Sequence, residues 1–328
     1  MKKLRWFDRY PKTILVAVNI IVIVVLLVIT ELILKFGLGL GNVVLYDSNP
    51  IYGYRPLPNQ ETTRFRNSRL KFNNLGLRTD EDWDENIENK ILFIGNSVTY
   101  GGSYIANNEL FTHLALEGLT GYLGGNAGVN GWGIENMYGL VVETEFLPAR
   151  TYVTMVGKHD FYRGLTRLPG LPYWCNQPTF ALKELLYHFY YLQNNKRYRR
   201  WQTYADDEFT AQVVEKAVLK LKEIDEYIRS RDYMHLIYIS PSVDQLLGSE
   251  EKDSLVMKYL EKHSLEVTYL FDRIKQLNSD PEMIRSWFSS GIHLEKQGHA
   301  VWGRLIHEDL KQLQIGNAFP DKTAKQAM

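Results

Sequence analysis

The sequence predicts an α/β protein, a three-layer α/β/α sandwich on a parallel sheet, preceded by one N-terminal transmembrane helix. Three observations carry this. From Lys90 onward short apolar runs alternate with longer amphipathic stretches, the pattern of a parallel sheet with helices on both faces. One run, residues 91–94 (ILFI), breaks at once into Gly95-Asn96-Ser97, which reads as a buried strand ended by a tight turn. Residues 14–36 are almost continuously apolar.

That N-terminal segment comes first in the chain. Residues 14–30 hold only Asn19 and Thr30 as polar positions, and the apolar character continues through Leu32, Ile33, Leu34 and Phe36. As a helix it would be about 35 Å long, enough to cross a bilayer. The tail 1–13 carries Lys2, Lys3, Arg5, Arg9 and Lys12 against Asp8, whereas no basic residue stands between Gly37 and Tyr54. The positive-inside rule then puts the N-terminus in the cytoplasm and the rest of the chain across the cell membrane. A cleaved signal peptide would have a shorter apolar core and small residues at a cleavage site, so a single-pass, uncleaved anchor is expected.

Residues 37–89 form a linker and approach segment, rich in Gly, Pro and Asn up to Gln60, and are expected to be irregular. Phe72 to Arg78 (FNNLGLR) reads as a surface loop, followed by an acidic turn. The α/β domain is expected over 90–316. Its strands are placed at 91–94, 122–127 (glycine-rich), 152–156 and 235–239. Its helices are placed at 109–119, 134–146, 182–191, 208–228, 254–274 and 298–313. Residues 161–205 read as an insertion with many aromatics (Phe161, Tyr162, Tyr173, Trp174, Phe180, Tyr187, Phe189, Tyr190, Tyr191) and the basic cluster Lys196, Arg197, Arg199, Arg200. The aromatics are expected to be core, with the lining of a glycan cleft as the alternative, and the basic cluster surface, facing anionic headgroups or an acidic glycan. A tail, 317–328, closes the chain.

Composition excludes several classes. The formal net charge is +0, which gives no electrostatic case for nucleic acid. The single cysteine, Cys175, rules out an internal disulfide framework and reads as a packed small hydrophobe. There is no C-x-x-C, H-E-x-x-H, P-loop or G-x-G-x-x-G, so no metal, nucleotide or other cofactor is expected.

Chemistry is expected just beyond the strand ends of such a sheet. Ser97 stands there as a candidate nucleophile. Three later stretches reach the same edge: Asn126 to Gly131 after the second strand, Val156 to Asp160 after the third, and Ser290 to His293 before the last helix. His293 is a candidate base for Ser97, and a glycine offers a bare backbone N–H to an oxyanion.

With these four stretches in order, the chain resembles the SGNH (GDSL-type) hydrolases from about Phe72 to Leu313. Their blocks are a G-D-S turn, a glycine after the second strand, G-x-N-D after the third, and D-x-x-H before the final helix. FNNLGLR is similar to the stretch that precedes the first block in membrane-anchored members. The resemblance implies a flavodoxin-like sandwich and a serine esterase. Ser97 would be nucleophile and oxyanion donor, Gly131 the second donor and His293 the base. The departures are specific. Asn96 replaces the aspartate of the first block. His159 replaces the oxyanion asparagine and could keep an N–H in that role. Ser290 replaces the aspartate that orients the histidine, leaving Asp160 as the nearest acid by block position. The implied substrate is an ester on a glycan or lipid, with an O-acetyl group of a cell-surface polysaccharide as the expected case. The alternatives are an O-acyltransferase of the same fold, or a degenerate member that binds glycan or a partner in polysaccharide assembly.

Overall fold

The computed structural model describes residues 10–84, 88–168, 174–194, 208–251 and 253–316. Lys2, Lys3, Arg5, Arg9, Tyr173, the cluster Lys196 to Arg200 and the tail 317–328 lie outside them. Helix α1 (Pro11–Leu32) opens with proline, whose missing N–H costs nothing in a first turn, and runs into a π-helical turn, Ile33–Gly37. The stretch Pro11–Gly37 is long and apolar enough to cross a membrane, and α1 buries none of its residues in the protein. Its one mid-span polar side chain, Asn19, donates back to the Leu15 carbonyl at 2.8 Å and so stays satisfied without water.

The approach segment is not irregular, as its Gly, Pro and Asn content suggested. It forms two antiparallel hairpins, β1 (Tyr46–Asn49) with β2 (Gly53–Pro56) and β3 (Gln60–Arg64) with β4 (Ser68–Phe72). Turn residues occupy so much of each short hairpin that they mask the strand pattern. Tyr46, Tyr54, Leu70 and Phe72 join the same apolar cluster as the central sheet. FNNLGLR is likewise no surface loop. Asn73 Oδ1 accepts from the N–H groups of Leu75 and Leu77, both at 3.0 Å, an Asx-type turn that drives Leu77 and Arg78 inward.

The sheet follows. Strand β5 (Lys90–Gly95) is buried throughout and leads into the one-turn helix α2 (Ser97–Tyr100). Then come α3 (Phe111–Leu114), β6 (Leu123–Asn126), α4 (Ile134–Tyr138, extended by a π-helical turn to Glu143), β7 (Thr151–Val156), α5 (Ala181–Asn194), α6 (Glu208–Arg229) and β8 (Met234–Ile239). After these lie α7 (Val243–Leu247), α8 (Ser254–Lys262), β9 (Thr268–Tyr269), α9 (Leu270–Leu277), α10 (Pro281–Ser286), the hairpin β10 (Phe288–Ser290) with β11 (His293–Leu294), and α11 (Lys296–Gly316). The helix expected over 254–274 is therefore two helices. Ser264, at φ +50°, ends the first, and the two-residue strand β9 stands between them. The helix expected over 109–119 is regular only across α3.

The central sheet has five parallel strands in the order β6-β5-β7-β8-β9. Numbered along the chain this is 2-1-3-4-5, the flavodoxin-like doubly wound order. Alternate residues pack on opposite faces. Leu92, Ile94, Tyr152 and Ile237 meet α6 and the N-terminal hairpins, whereas Ile91, Phe93, Val153 and Tyr238 meet α9 and α11. A side chain such as Phe93, with no exposed surface, contributes roughly 2–3 kcal/mol by burial. Neighbours β5 and β7 bracket the point where strand order reverses, so the crevice at their carboxyl ends is the place for a site.

Two burial expectations are corrected. Cys175 is exposed, in a segment tied to the domain through the backbone of its neighbour Trp174, which accepts from Tyr46 N–H at 2.9 Å. Among the aromatics of 161–205, Phe161 is core, but Phe180, Tyr187, Phe189 and Tyr190 are exposed.

Candidate active site

Ser97 follows β5 because Gly95 and Asn96 turn the chain there. A side chain on Gly95 would come within 2.1 Å of Thr99 Oγ1 and 2.6 Å of the Met155 carbonyl, so only glycine fits. Asn96 caps α2, its Oδ1 accepting from Val98 N–H at 2.7 Å. Its Nδ2 donates to Asp160 Oδ2 at 2.5 Å, and the same oxygen accepts from Gly157 N–H at 2.8 Å. Asp160 is wholly buried, and desolvation pushes its carboxyl up. It joins the ends of β5 and β7 and makes no hydrogen bond or ion pair with His293, so it does not orient the ring as considered for it.

His293 reaches the same crevice from the start of β11. Its Nε2 lies 2.9 Å from Ser97 Oγ. Its Nδ1 lies 2.9 Å from Ser290 Oγ. The residue replacing the expected aspartate is therefore itself the partner of the distal ring nitrogen. A serine hydroxyl can accept from Nδ1–H and so hold the tautomer with Nε2 free to take a proton. It supplies no charge. Burial holds His293 below the ordinary imidazole range, and the Arg163 guanidinium adds to that shift.

Ser97 and His293 line a cavity of about 430 Å³ with Asn130, Gly131, Arg163 and side chains from the N-terminal hairpins and α5. Gly131 sits at φ +78°, the left-handed region glycine tolerates. Its turn is pinned from two sides. Tyr54 Oη donates to the Asn130 carbonyl at 2.6 Å, and Thr166 Oγ1 to the Gly131 carbonyl at 3.0 Å. The backbone N–H groups of Ser97 and Gly131 donate to no protein group among the described residues. His159 does not line this cavity. It faces a separate small pocket with Asn96, Gly157, Ser240 and Ile292, and burial lowers its pKa. Among the described residues no group of three or more His, Cys, Asp or Glu side chains is set to hold a metal.

Several contributors escaped the sequence. Arg163 belongs to no block, yet it lines the cavity and donates to the Trp132 carbonyl at 3.2 Å. Arg78 stands inside FNNLGLR, where an arginine among buried apolar positions was the available signal. It is fully buried and clamps the loop after α2, donating to the carbonyls of Tyr100 at 2.5 Å, Gly102 at 2.8 Å and Ile105. Arg64 and Glu184 form a buried ion pair in the cavity wall.

No family model matches the sequence, and no curated protein matches it. Among solved structures the chain is similar to a lipase/acylhydrolase from Enterococcus faecalis (12% identity, 68% of this chain and 96% of that one, TM-score 0.40). It is also similar to a member of the lipolytic protein G-D-S-L family from Veillonella parvula (13% identity, 68% and 97%, TM-score 0.36).

Proposed function

We propose that the chain is a membrane-anchored serine esterase whose α/β domain faces the extracytoplasmic side. The observation that carries this is the 2.9 Å contact between Ser97 Oγ and His293 Nε2, in a cavity shared with Gly131. Ser97 Oγ attacks the ester carbonyl while His293 Nε2 takes its proton. The carbonyl oxygen becomes an oxyanion, within reach of the Ser97 and Gly131 N–H groups. Collapse of the adduct expels the alcohol, which leaves with the proton from His293. Water then attacks the acyl-serine by the same route, releasing the acid and restoring the hydroxyl. A sugar hydroxyl in place of water would make the same site an O-acyltransferase.

The cytoplasmic placement of the N-terminus follows from the basic residues before α1. An O-acetyl group on a cell-surface polysaccharide fits an exported domain with a cavity of this size. A second reading, a degenerate protein that only binds glycan or an assembly partner, is favoured by Ser290, since no carboxylate supports His293. Aryl acetate hydrolysis by the full chain in detergent, beside Ser97→Ala, separates the two. Residues as early as Gly39 and Gly41 bond to the domain, so the full chain is preferred to a truncation. Turnover and fluorophosphonate labelling that both vanish in Ser97→Ala support the esterase. Silence in both assays with the intact serine supports the binder.

A further inference from the structure

The wall of the cavity and the end of the apolar N-terminal helix are one construction. Glu31, in the last turn of α1, accepts from the N–H groups of Ala181 at 2.6 Å and Leu182 at 3.0 Å. It thereby caps the start of α5, a favourable place for a carboxylate. Leu34 and Leu40, just beyond α1, pack with Ala181, Leu182 and Leu185. From that fixed start α5 runs for 14 residues, about 21 Å. One side faces the domain: Ala181 and Glu184 are buried, and His188 lines the cavity. The other side, Lys183 apart, is apolar and exposed. Leu186, Phe189 and Tyr190 stand 60%, 53% and 60% exposed, and Phe180 just before the helix is 60% exposed. Positions 186, 189 and 190 share one helical face.

A soluble domain rarely leaves such a row uncovered. Here the row begins where the span ends. If residues 11–30 fill the hydrocarbon layer, which needs about 20 residues, Glu31 and the start of α5 fall at the headgroup level. Phe and Tyr are suited to that level.

We propose that α5 lies in the outer membrane–water interface with Leu186, Phe189 and Tyr190 in the lipid. The Ser97 cavity then opens at the bilayer surface and takes an ester on a molecule held in the membrane by a lipid tail. The seating stands on the geometry of α1 and α5 alone. The substrate class rests on the esterase reading above.

The test uses the full chain in phosphatidylcholine–phosphatidylglycerol vesicles. An environment-sensitive fluorophore is placed at Phe189→Cys in a Cys175→Ser background, with Met283→Cys on α10 as the comparison site. Doxyl-labelled lipids are expected to quench the label at 189 and to spare the label at 283. Equal, water-like emission at both sites overturns the seating. A label at 189 that is shielded but unquenched by lipid also overturns it, because a protein partner then covers the face.

The second arm compares 4-nitrophenyl acetate in solution with 4-nitrophenyl palmitate embedded in the vesicles. The triple variant Leu186→Gln, Phe189→Gln, Tyr190→Gln is expected to keep the soluble activity. It should lose on the order of tenfold or more on the embedded ester, the weight of a few buried apolar side chains. An equal effect on both substrates overturns the membrane-held substrate. If the native chain turns over neither ester, the esterase reading fails and the substrate class with it, while quenching still decides the seating.

Discussion

The turn that carries Ser97 and the hairpin that carries His293 meet across 2.9 Å, yet they are built in different ways. The Ser97 turn is over-determined. It follows a fully buried strand, admits only glycine at 95, and is tied through Asn96 to a carboxylate with no exposed surface. The His293 hairpin is short and open, with Ser289, Ser290 and Gly291 exposed. Hydroxyls hold it: Ser290 on the ring, and Tyr104 Oη, which contacts Ser289 Oγ at 2.5 Å and donates to the Leu294 carbonyl at 3.0 Å. Ser97 is fixed through a buried carboxyl, and His293 is oriented without one. Serving a hydroxyl demands only position, whereas a base that becomes imidazolium also benefits from a counter-charge. The second half of the site is the half that lacks it.

The largest effect should come from the fixed side. On the esterase reading, Ser97→Ala removes the hydroxyl that forms the acyl intermediate, and hydrolysis of an aryl acetate should fall roughly 10⁴-fold or more. Steady-state rates in detergent decide this, and retention of activity would show that the paired side chains are not the catalytic pair. Next is Asn96→Asp. It sets a second carboxylate against Asp160, where Nδ2 now donates at 2.5 Å. Leaving buried like charges facing each other should cost about 3 kcal/mol. One proton shared by the pair relieves the repulsion at low pH. With the folded-state pKa of the pair raised, stability is retained in acid and lost as pH rises through that value. Thermal melts at acid and neutral pH should therefore diverge further for the variant than for the native chain, whose single Asp160 carboxyl is already pushed up by burial.

A smaller change tests the open side. Ser290→Asp restores a carboxylate beside Nδ1 and should raise kcat/KM on the order of tenfold to a hundredfold, short of the ~10⁴ seen for a buried triad, because the hairpin is exposed and screened by solvent. The native base is held low by burial and Arg163, so activity should survive to pH values below the ordinary imidazole range. The variant's acid limb should move to higher pH. A pH–rate profile that does not move would mean the added carboxylate does not reach the ring.

The same contrast explains what was legible in the sequence. The sheet could be read because its central strands β5 and β7 are buried along almost their whole length, so ILFI and TYVTMV stand out as apolar runs. That Ser97, Gly131 and His293 come to one edge of the sheet could be read because they follow such strands or precede a long helix. Strand β9 could not, since two residues between helices carry no period. The hairpins before the sheet were hidden by their own turn residues. Ser290 was legible as a loss but not as a replacement, because only coordinates show its hydroxyl 2.9 Å from Nδ1. His159 misled for a related reason. Its block position matches an oxyanion donor, but the turn after β7 sends the ring to another pocket, and Asp160 turns inward to serve Asn96. Arg163 and the apolar face of α5 belong to no motif, and their meaning depends on what lies beside them.

The smallest expected effect bears on whether the Gly131 turn belongs to the fixed side. Tyr54 Oη donates to the Asn130 carbonyl at 2.6 Å, and that carbonyl shares its peptide group with the Gly131 N–H. Tyr54→Phe removes only that hydroxyl. The ring remains against Tyr46, 6.1 Å between centroids, and the Tyr54 backbone carbonyl still accepts from Trp132 Nε1 at 2.8 Å. A neutral hydrogen bond is worth about 0.5–1.5 kcal/mol, roughly a two- to tenfold change in an equilibrium or a rate. If the hydroxyl holds the turn so that the Gly131 N–H is aimed where the oxyanion forms, the loss falls on kcat and leaves KM unchanged, because the interaction exists only in the transition state. A rise in KM at constant kcat would instead assign the turn to substrate binding. No change in either would show that Thr166, on the Gly131 carbonyl at 3.0 Å, is enough to hold the turn alone.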